Sequence, residues 1–327
     1  MKRGELIAVI TIVCGLLACK FLAPKPLQFS PAVSLWIIIL MALACLIILY
    51  LSIKGKPIER RVVFIFVGVS LILPFFMQFR LPIKVSPEVQ ASYDVIAALP
   101  PGSTVLVSFD YDPPSAPELQ PMADAFVKYA FEHDLKIILV GLWPQGPQQA
   151  DLSVEAAFAA NPALREKIRY GIDYVNLGFQ SGNEFVILRM GESFKAMFPV
   201  DQRYTLYDSL PLMKNIRNFS NVDLGFNLSA GRPGTTEWVQ VAVDRYHLKM
   251  TAGNTAVQAP LVYPFLKSGQ IIGMLGGMTG AAEFEILTEK PGKAMTYMLS
   301  QTFAHVIVMV FIVIGNVVYF RSRKEQA

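Results

Sequence analysis

The sequence is poor in the residues that usually build metal sites and disulfides, with three cysteines and three histidines among 327 residues. Cys14, Cys19 and Cys45 all lie in apolar stretches, and the histidines lack HxxxH spacing, so neither a disulfide framework nor a metal site is indicated. Charged residues are also scarce, at 17%, which excludes a disordered regulator. Hydrophobic residues make up 53%, so part of the chain is predicted to lie in lipid.

Four apolar runs of about 18 to 21 residues are predicted to be transmembrane helices. At 1.5 Å per residue, each is long enough to cross a hydrocarbon core of about 30 Å. The predicted spans are residues 6–23, 33–53, 62–79 and about 300–320. The predicted organisation is three membrane helices in residues 1–83, a separate domain in 84–299, and a fourth helix with a basic tail in 300–327.

Basic residues flank these runs on alternate sides, which predicts that both termini are cytoplasmic. The proposed cytoplasmic residues are Lys2, Arg3, Lys54, Lys56, Arg60, Arg61, Arg321, Arg323 and Lys324. Residues 81–299 carry 17 Lys and Arg against 22 Asp and Glu, a net charge of −5, and the remainder of the chain is at +9. The large domain is therefore expected outside the bacterial inner membrane, in the periplasm or beyond, without a basic face for nucleic acid.

The first run has a second interpretation. Residues 1–19 have a basic start, an apolar stretch and the ending Leu16-Leu17-Ala18-Cys19, which is similar to a bacterial lipoprotein signal. In that case Cys19 would be lipidated and the residues before it removed. Residue 20 begins outside the membrane under either interpretation.

Strand and helix signals alternate along residues 84–299. Short β-branched runs predict strands at 104–109, 136–142, 172–177, 222–228 and 250–256. Helices are predicted at 87–99, 121–133, 151–169 (broken near Asn161-Pro162), 209–218, 235–246 and 260–267. This alternation predicts an α/β domain with a mainly parallel, Rossmann-like or flavodoxin-like sheet of about five strands.

Ligands of such sheets bind beside the carboxyl ends of the strands. Five polar loops that contain glycine or proline follow the predicted strands, and we expect them to share one edge. The candidate ligand-binding residues in these loops are Gln145, Ser181, Ser229, Arg232, Asn254 and Thr255. The alternative is that Gly, Pro and Asn simply form turns there.

Asp110 and Asp112 follow the first strand and are the candidate catalytic pair. Two carboxylates at this spacing can hold Mg²⁺ or Mn²⁺, or divide nucleophile and acid roles. The spacing resembles the first motif of haloacid-dehalogenase-type phosphotransferases and the metal-binding DxD of glycosyltransferases. Pro113-Pro114 departs from the first pattern, and no nucleotide-binding pattern accompanies the second. A turn-forming Asp with a helix-capping partner is the alternative.

Gly273, Gly276, Gly277 and Gly280 form a second motif. Their small-xxx-small spacing would let a helix backbone approach another helix closely. The motif is not GxGxxG, and no phosphate-binding loop with a following Lys-Ser or Lys-Thr is present. We therefore predict helix packing, within one chain or between copies, rather than anion binding.

Residues 108–119 and 273–285 resemble stretches of uncharacterised bacterial multi-pass membrane proteins. The resemblance brings no activity, cofactor or site residue with it. The leading hypothesis is an inner-membrane protein whose external domain binds or scaffolds other membrane or periplasmic proteins, as a complex subunit or homo-oligomer. The alternatives are a metal-assisted transferase or hydrolase that uses Asp110 and Asp112, and a sensor subunit that needs a separate signalling partner.

A reporter experiment tests the predicted topology. A periplasm-dependent reporter fused near residue 150 is expected to be active, because residues 84–299 follow a third, outward crossing. The same reporter fused near residue 57 is expected to be inactive, since the basic turn there is predicted to be cytoplasmic. Activity only at the second position would overturn the topology.

Overall fold

The computed structural model describes residues 29–54, 60–77, 83–288 and 292–326. These residues divide into two compact units. Residues 83–295 form one unit, and the described residues on either side of that range form the other. The predicted span 6–23, with Cys14 and Cys19, lies outside the described residues.

The apolar unit contains helix α1 (Pro31–Ile53), helix α2 (Arg60–Ile72) with a 3₁₀ turn (Leu73–Phe76), and most of the last helix (Lys293–Gln326). By length and composition, two helices of the described chain can span a membrane, Ala32–Leu51 and Lys293–Arg321. Four spans were expected, so the prediction is met only in part.

The third predicted span, residues 62–79, is a shorter apolar helix in the structure. The α-helix stops at Ile72 and continues as one 3₁₀ turn around Pro74. A proline ring lacks the N–H group and collides with the preceding turn, which explains why the regular helix ends there.

The larger unit is built on a six-stranded parallel sheet. Its strands are β1 (Thr104–Asp110), β2 (Lys136–Gly141), β3 (Tyr174–Phe179), β4 (Leu224–Ser229), β5 (Met250–Asn254) and β6 (Met274–Gly276). They lie in the order β3-β2-β1-β4-β5-β6, which is the Rossmann-like order rather than the flavodoxin-like one. The α/β prediction is confirmed, with one strand more than expected.

Every residue of β1 is buried, because helices cover both faces of the sheet. The helices of this unit are α3 (Pro87–Ala97), α4 (Ala116–Glu132), α5 (Gly146–Ala160), α6 (Ala163–Lys167), α7 (Glu184–Glu192), α8 (Phe194–Met197), α9 (Thr235–Trp238), α10 (Ala259–Lys267) and α11 (Gly277–Leu287). The last helix, α12 (Lys293–Gln326), starts in this unit, and most of it belongs to the apolar unit.

Each face has its own apolar layer. On one face, Phe126 of α4 packs edge-on against Phe226 of β4, with ring centroids 4.9 Å apart. On the other face, Leu106 and Ile138 pack in a cluster with side chains of α7 and with Trp238. Both layers exclude water from the strands, so polar groups in the sheet need partners inside the protein.

The helix predictions for this unit are confirmed at some positions and wrong at others. The break near Asn161-Pro162 is confirmed, because α5 ends at Ala160 and α6 begins at Ala163. Residues 209–218, predicted as a helix, form 3₁₀ turns at Tyr207–Ser209 and Pro211–Asn215. Residues 235–246 form α9 and one π-helical turn, Val239–Val243. Helix α7 was not predicted.

Candidate functional site

The strand order reverses between β1 and β4, and this is the place where sheets of this kind bind ligands. The last residues of four strands are in register there. Asp110 pairs with Ser229, Ser229 with Asn254, and Asn254 with Gly276. Three of the candidate residues therefore stand in one row at the carboxyl edge, as the sequence predicted.

The Asp110 carboxylate is completely buried and accepts four hydrogen bonds. Its Oδ1 accepts from Ser108 Oγ at 2.7 Å and from the Leu142 backbone N–H at 2.8 Å. Its Oδ2 accepts from Asn227 Nδ2 at 2.6 Å and from Trp238 Nε1 at 2.8 Å. Because a carboxylate has about four acceptor positions, this one is saturated.

Burial and hydrogen bonding act on Asp110 in opposite directions. Burial raises the pKa of its carboxyl group to about 6, and the bonds from Leu142, Ser108, Trp238 and Asn227 oppose that rise. At neutral pH the group is therefore ionised. All four partners are donors, which suits the charged form.

The network continues from Asp110 to β5. Asn227 Oδ1 accepts a hydrogen bond from Thr235 Oγ1 at 2.7 Å, and Thr235 Oγ1 accepts one from Asn254 Nδ2 at 2.7 Å. These side chains are all buried. The bonds join β4, β5 and the start of α9 to the end of β1.

Other candidates lie outside this network. Gln145 and Ser181 are exposed, and Asp112 accepts a hydrogen bond from Ser115 Oγ at 2.9 Å. The Arg232 side chain is 70% exposed and donates to Glu237 at 2.8 Å. The structure therefore brings Asp110, Ser229 and Asn254 together and leaves Asp112, Gln145 and Ser181 apart from them.

Loops cover the row of strand ends. Trp143 Nε1, after β2, donates to the Pro233 carbonyl, after β4, at 2.7 Å. The Thr255 N–H donates to the Ser229 carbonyl at 3.4 Å, and both side chains are buried. The centre of this edge is thus filled by protein.

The donor set does not suit a bound metal ion. Within the described ranges, no group of three or more His, Cys, Asp or Glu side chains is arranged to hold one. Asp110 already has its four partners, and Asp112 points to a turn. This arrangement disfavours the pair as a Mg²⁺ or Mn²⁺ site.

A surface cavity of about 320 Å³ lies between α4, α5 and the end of α11. Its lining extends along α4 from Pro121 to Glu132 and includes none of the candidate catalytic or ligand-binding residues. Two ion pairs line it, Lys293 with Asp124 and Lys128 with Glu132. The cavity is therefore separate from the candidate residues at the carboxyl edge.

The four glycines were expected on one helix, but the structure divides them between a strand and a helix. Gly273 precedes β6 and Gly276 ends it, whereas Gly277 and Gly280 belong to α11. A Cβ atom at Gly273 would collide with Ser92 of α3. Gly273 therefore permits close packing of a strand end on a helix, which is a related role on a different element.

Sequence reasoning missed the partners of Asp110 and two buried glutamates on α11. Ser108, Asn227 and Trp238 are 2, 117 and 128 residues away from Asp110. Two signals were available: Ser108 is a polar residue two positions before Asp110, and Asn227 is a polar residue in a predicted buried strand. Glu283 and Glu285 are 5% and 2% exposed, and charged residues in a helix of small and apolar residues were their signal.

Comparison of this chain with protein-family models, curated proteins and solved structures found no match.

Substitution of Asp110 tests whether it organises the strand ends. Asp110→Asn is expected to lower the free energy of unfolding by roughly 2–4 kcal/mol, because its NH₂ group would face buried donors that lose their acceptor. Thermal unfolding of the purified chain measures this. The matched control, Asp112→Asn, should stay within about 0.5 kcal/mol, as surface changes usually do. Equal effects at both positions would contradict the assignment.

The raised pKa of Asp110 predicts that the stability of the fold depends on pH. Its pKa rises from 3.8 in the unfolded chain to about 6 in the fold, so the fold binds a proton more readily between these values. The part of its stability contribution that depends on the bound proton is full below about pH 4 and is lost as pH rises through 6. The stability difference between wild type and Asp110→Asn should therefore shrink from pH 4 to pH 7. A difference that grows over this range would be inconsistent with the raised pKa.

Proposed function

We propose that this chain is an integral protein of the bacterial inner membrane whose α/β domain binds or scaffolds other proteins, as a subunit of a membrane complex. The observation that carries the proposal is the complete burial of the Asp110 carboxylate behind four hydrogen-bond donors. Catalytic carboxylates must reach a substrate, and this carboxylate has no exposed atom. An edge filled in this way offers a surface rather than a reaction cavity.

The two long apolar helices support the membrane assignment. Their outward side chains include Leu35 and Trp36 of α1, and Met309 and Ile312 of α12, which are 57–65% exposed. Apolar surface of this extent is favourable against lipid or another protein. The basic residues at the ends of the predicted spans support cytoplasmic termini and an external domain.

Exposed apolar side chains beside the strand ends support a protein partner. Val257 and Leu261, which follow β5, are 81% and 64% exposed, and Phe185, which follows β3, is 66% exposed. Aromatic residues such as Phe are enriched in protein interfaces, and exposed apolar patches mark contact surfaces. The partner that fits them is another membrane or periplasmic protein, or a second copy of this chain.

The metal-assisted enzyme is the weaker proposal. It needs the carboxylates of Asp110 and Asp112 to bind the same ligand, and of the two only Asp112 is partly exposed. The arrangement supports a structural carboxylate beside a turn-forming one. Cofactors are accordingly not part of the proposal.

In-membrane cross-linking tests the proposed contact surface. The full chain, with a photoreactive amino acid at Leu261, is expected to form a specific adduct in native membranes because this side chain would face the partner. The double substitution Val257→Asp and Leu261→Asp, with the photoreactive group moved to Pro260, should reduce the adduct at least tenfold. The readout is the mass of the adduct and the peptide to which it is joined.

Leu152→Asp, with the same group at Pro260, provides the control, because Leu152 is 56% exposed on α5, away from β5. It should leave the adduct unchanged. A chain that is monomeric in native membranes and forms no adduct from either position would remove the basis of the scaffolding proposal.

A further inference from the structure

Helix α11 begins at the carboxyl edge of the sheet, beside the candidate ligand residues. It starts at Gly277, directly after Gly276, which is in register with Asn254. Gly277 has φ +58°, and a Cβ atom there would lie 2.9 Å from Cβ of Ala256. The first residue of the helix is therefore in tight contact with the loop that follows β5.

The middle of α11 holds the segment by which the chain enters the α/β unit. The buried Glu283 carboxylate accepts hydrogen bonds from Ser86 N–H at 2.9 Å and from Ser86 Oγ at 2.5 Å. Ser86 is the residue before α3. One side chain of α11 thus fixes the beginning of the unit.

The end of α11 holds the segment by which the chain leaves the unit. Glu285 accepts hydrogen bonds from the N–H groups of Gly292 and Ala294, each at 2.9 Å, and of Met295 at 3.1 Å. The first N–H groups of a helix have no partner within it, so this carboxylate caps the start of α12. A Cβ atom at Gly292 would collide with the Glu285 carboxylate, which explains the glycine.

The body of α11 is buried and packed along its length between these contacts. Ala281, Ala282 and Phe284 are fully buried, and Phe284 packs edge-on against Tyr93 of α3 with ring centroids 6.3 Å apart. Eleven helical residues at 1.5 Å each span about 16 Å. A displacement at Gly277 would therefore reach both glutamates.

We propose that α11 is a coupling helix, which transmits a change at the carboxyl edge of the sheet to both chain ends of the α/β unit through Glu283 and Glu285. The coupling rests on the proposed function, since a bound partner would supply the change at this edge. The coupling needs no further residue, because both ends of the unit are hydrogen-bonded to the same helix. Packed side chains, hydrogen-bond networks and rigid secondary elements carry energetic coupling between distant sites, and α11 combines all three.

Amide hydrogen exchange of the full chain in lipid nanodiscs tests the coupling without any partner. Gly277→Ala pushes α11 against Ala256, so exchange should rise about tenfold at Ser86 and also at Ala294 and Met295. That factor corresponds to loss of one charge-assisted hydrogen bond. Exchange in β1 should not change.

Single-contact variants identify the route. Glu283→Gln is expected to raise exchange at Ser86 alone, and Glu285→Gln at Gly292, Ala294 and Met295 alone, because each removes one carboxylate. Gly269→Ala is the matched control for backbone strain, since Gly269 has φ +76° with no atom within 4 Å of an added Cβ. It should leave both ends protected.

Ala256→Val enlarges the side chain that faces Gly277, and so it strains the same contact from the loop after β5. It provides a second test if Gly277→Ala unfolds the protein. Increased exchange at both ends supports the coupling. Increased exchange at one end, or at neither, overturns it. Because no partner is present, this failure is distinct from failure of the cross-linking experiment, which tests the contact surface itself.

Discussion

The centre of the α/β unit depends on a buried, ionised carboxylate that must be surrounded by donors. Removing a charge from water is costly unless hydrogen bonds replace its hydration. Asp110 receives these bonds from β1, from the residue after β2, from β4 and from α9. The carboxylate therefore holds four chain segments in one arrangement at the point where the strand order reverses.

The same chemistry recurs at the ends of the unit. Glu283 and Glu285 are buried and accept hydrogen bonds from backbone N–H groups, and Glu283 also from a hydroxyl group. Burial raises the pKa of Glu285, and the bonds from Ala294, Met295 and Gly292 oppose the rise. Buried acids with donor partners hold the centre of the sheet, its entry segment and its exit segment.

This use of carboxylates has a functional consequence. A saturated acid is unavailable to a substrate, so the carboxyl edge presents covering loops and exposed apolar residues such as Val257 and Leu261. Under the proposed function, this surface is the one that contacts another protein. Apolar helices that suit lipid are consistent with a role for the unit at a membrane.

Local patterns in the sequence predicted much of the architecture. Short β-branched runs located five strands, and Asn161-Pro162 marked the break between α5 and α6, because both signals depend on neighbouring residues. The position of Asp110 at a strand end was also predictable. Its role was not, because Asn227 and Trp238 are 117 and 128 residues away along the chain. Only the tertiary structure decides whether such a carboxylate faces solvent or four donors, since burial is a property of the packed chain.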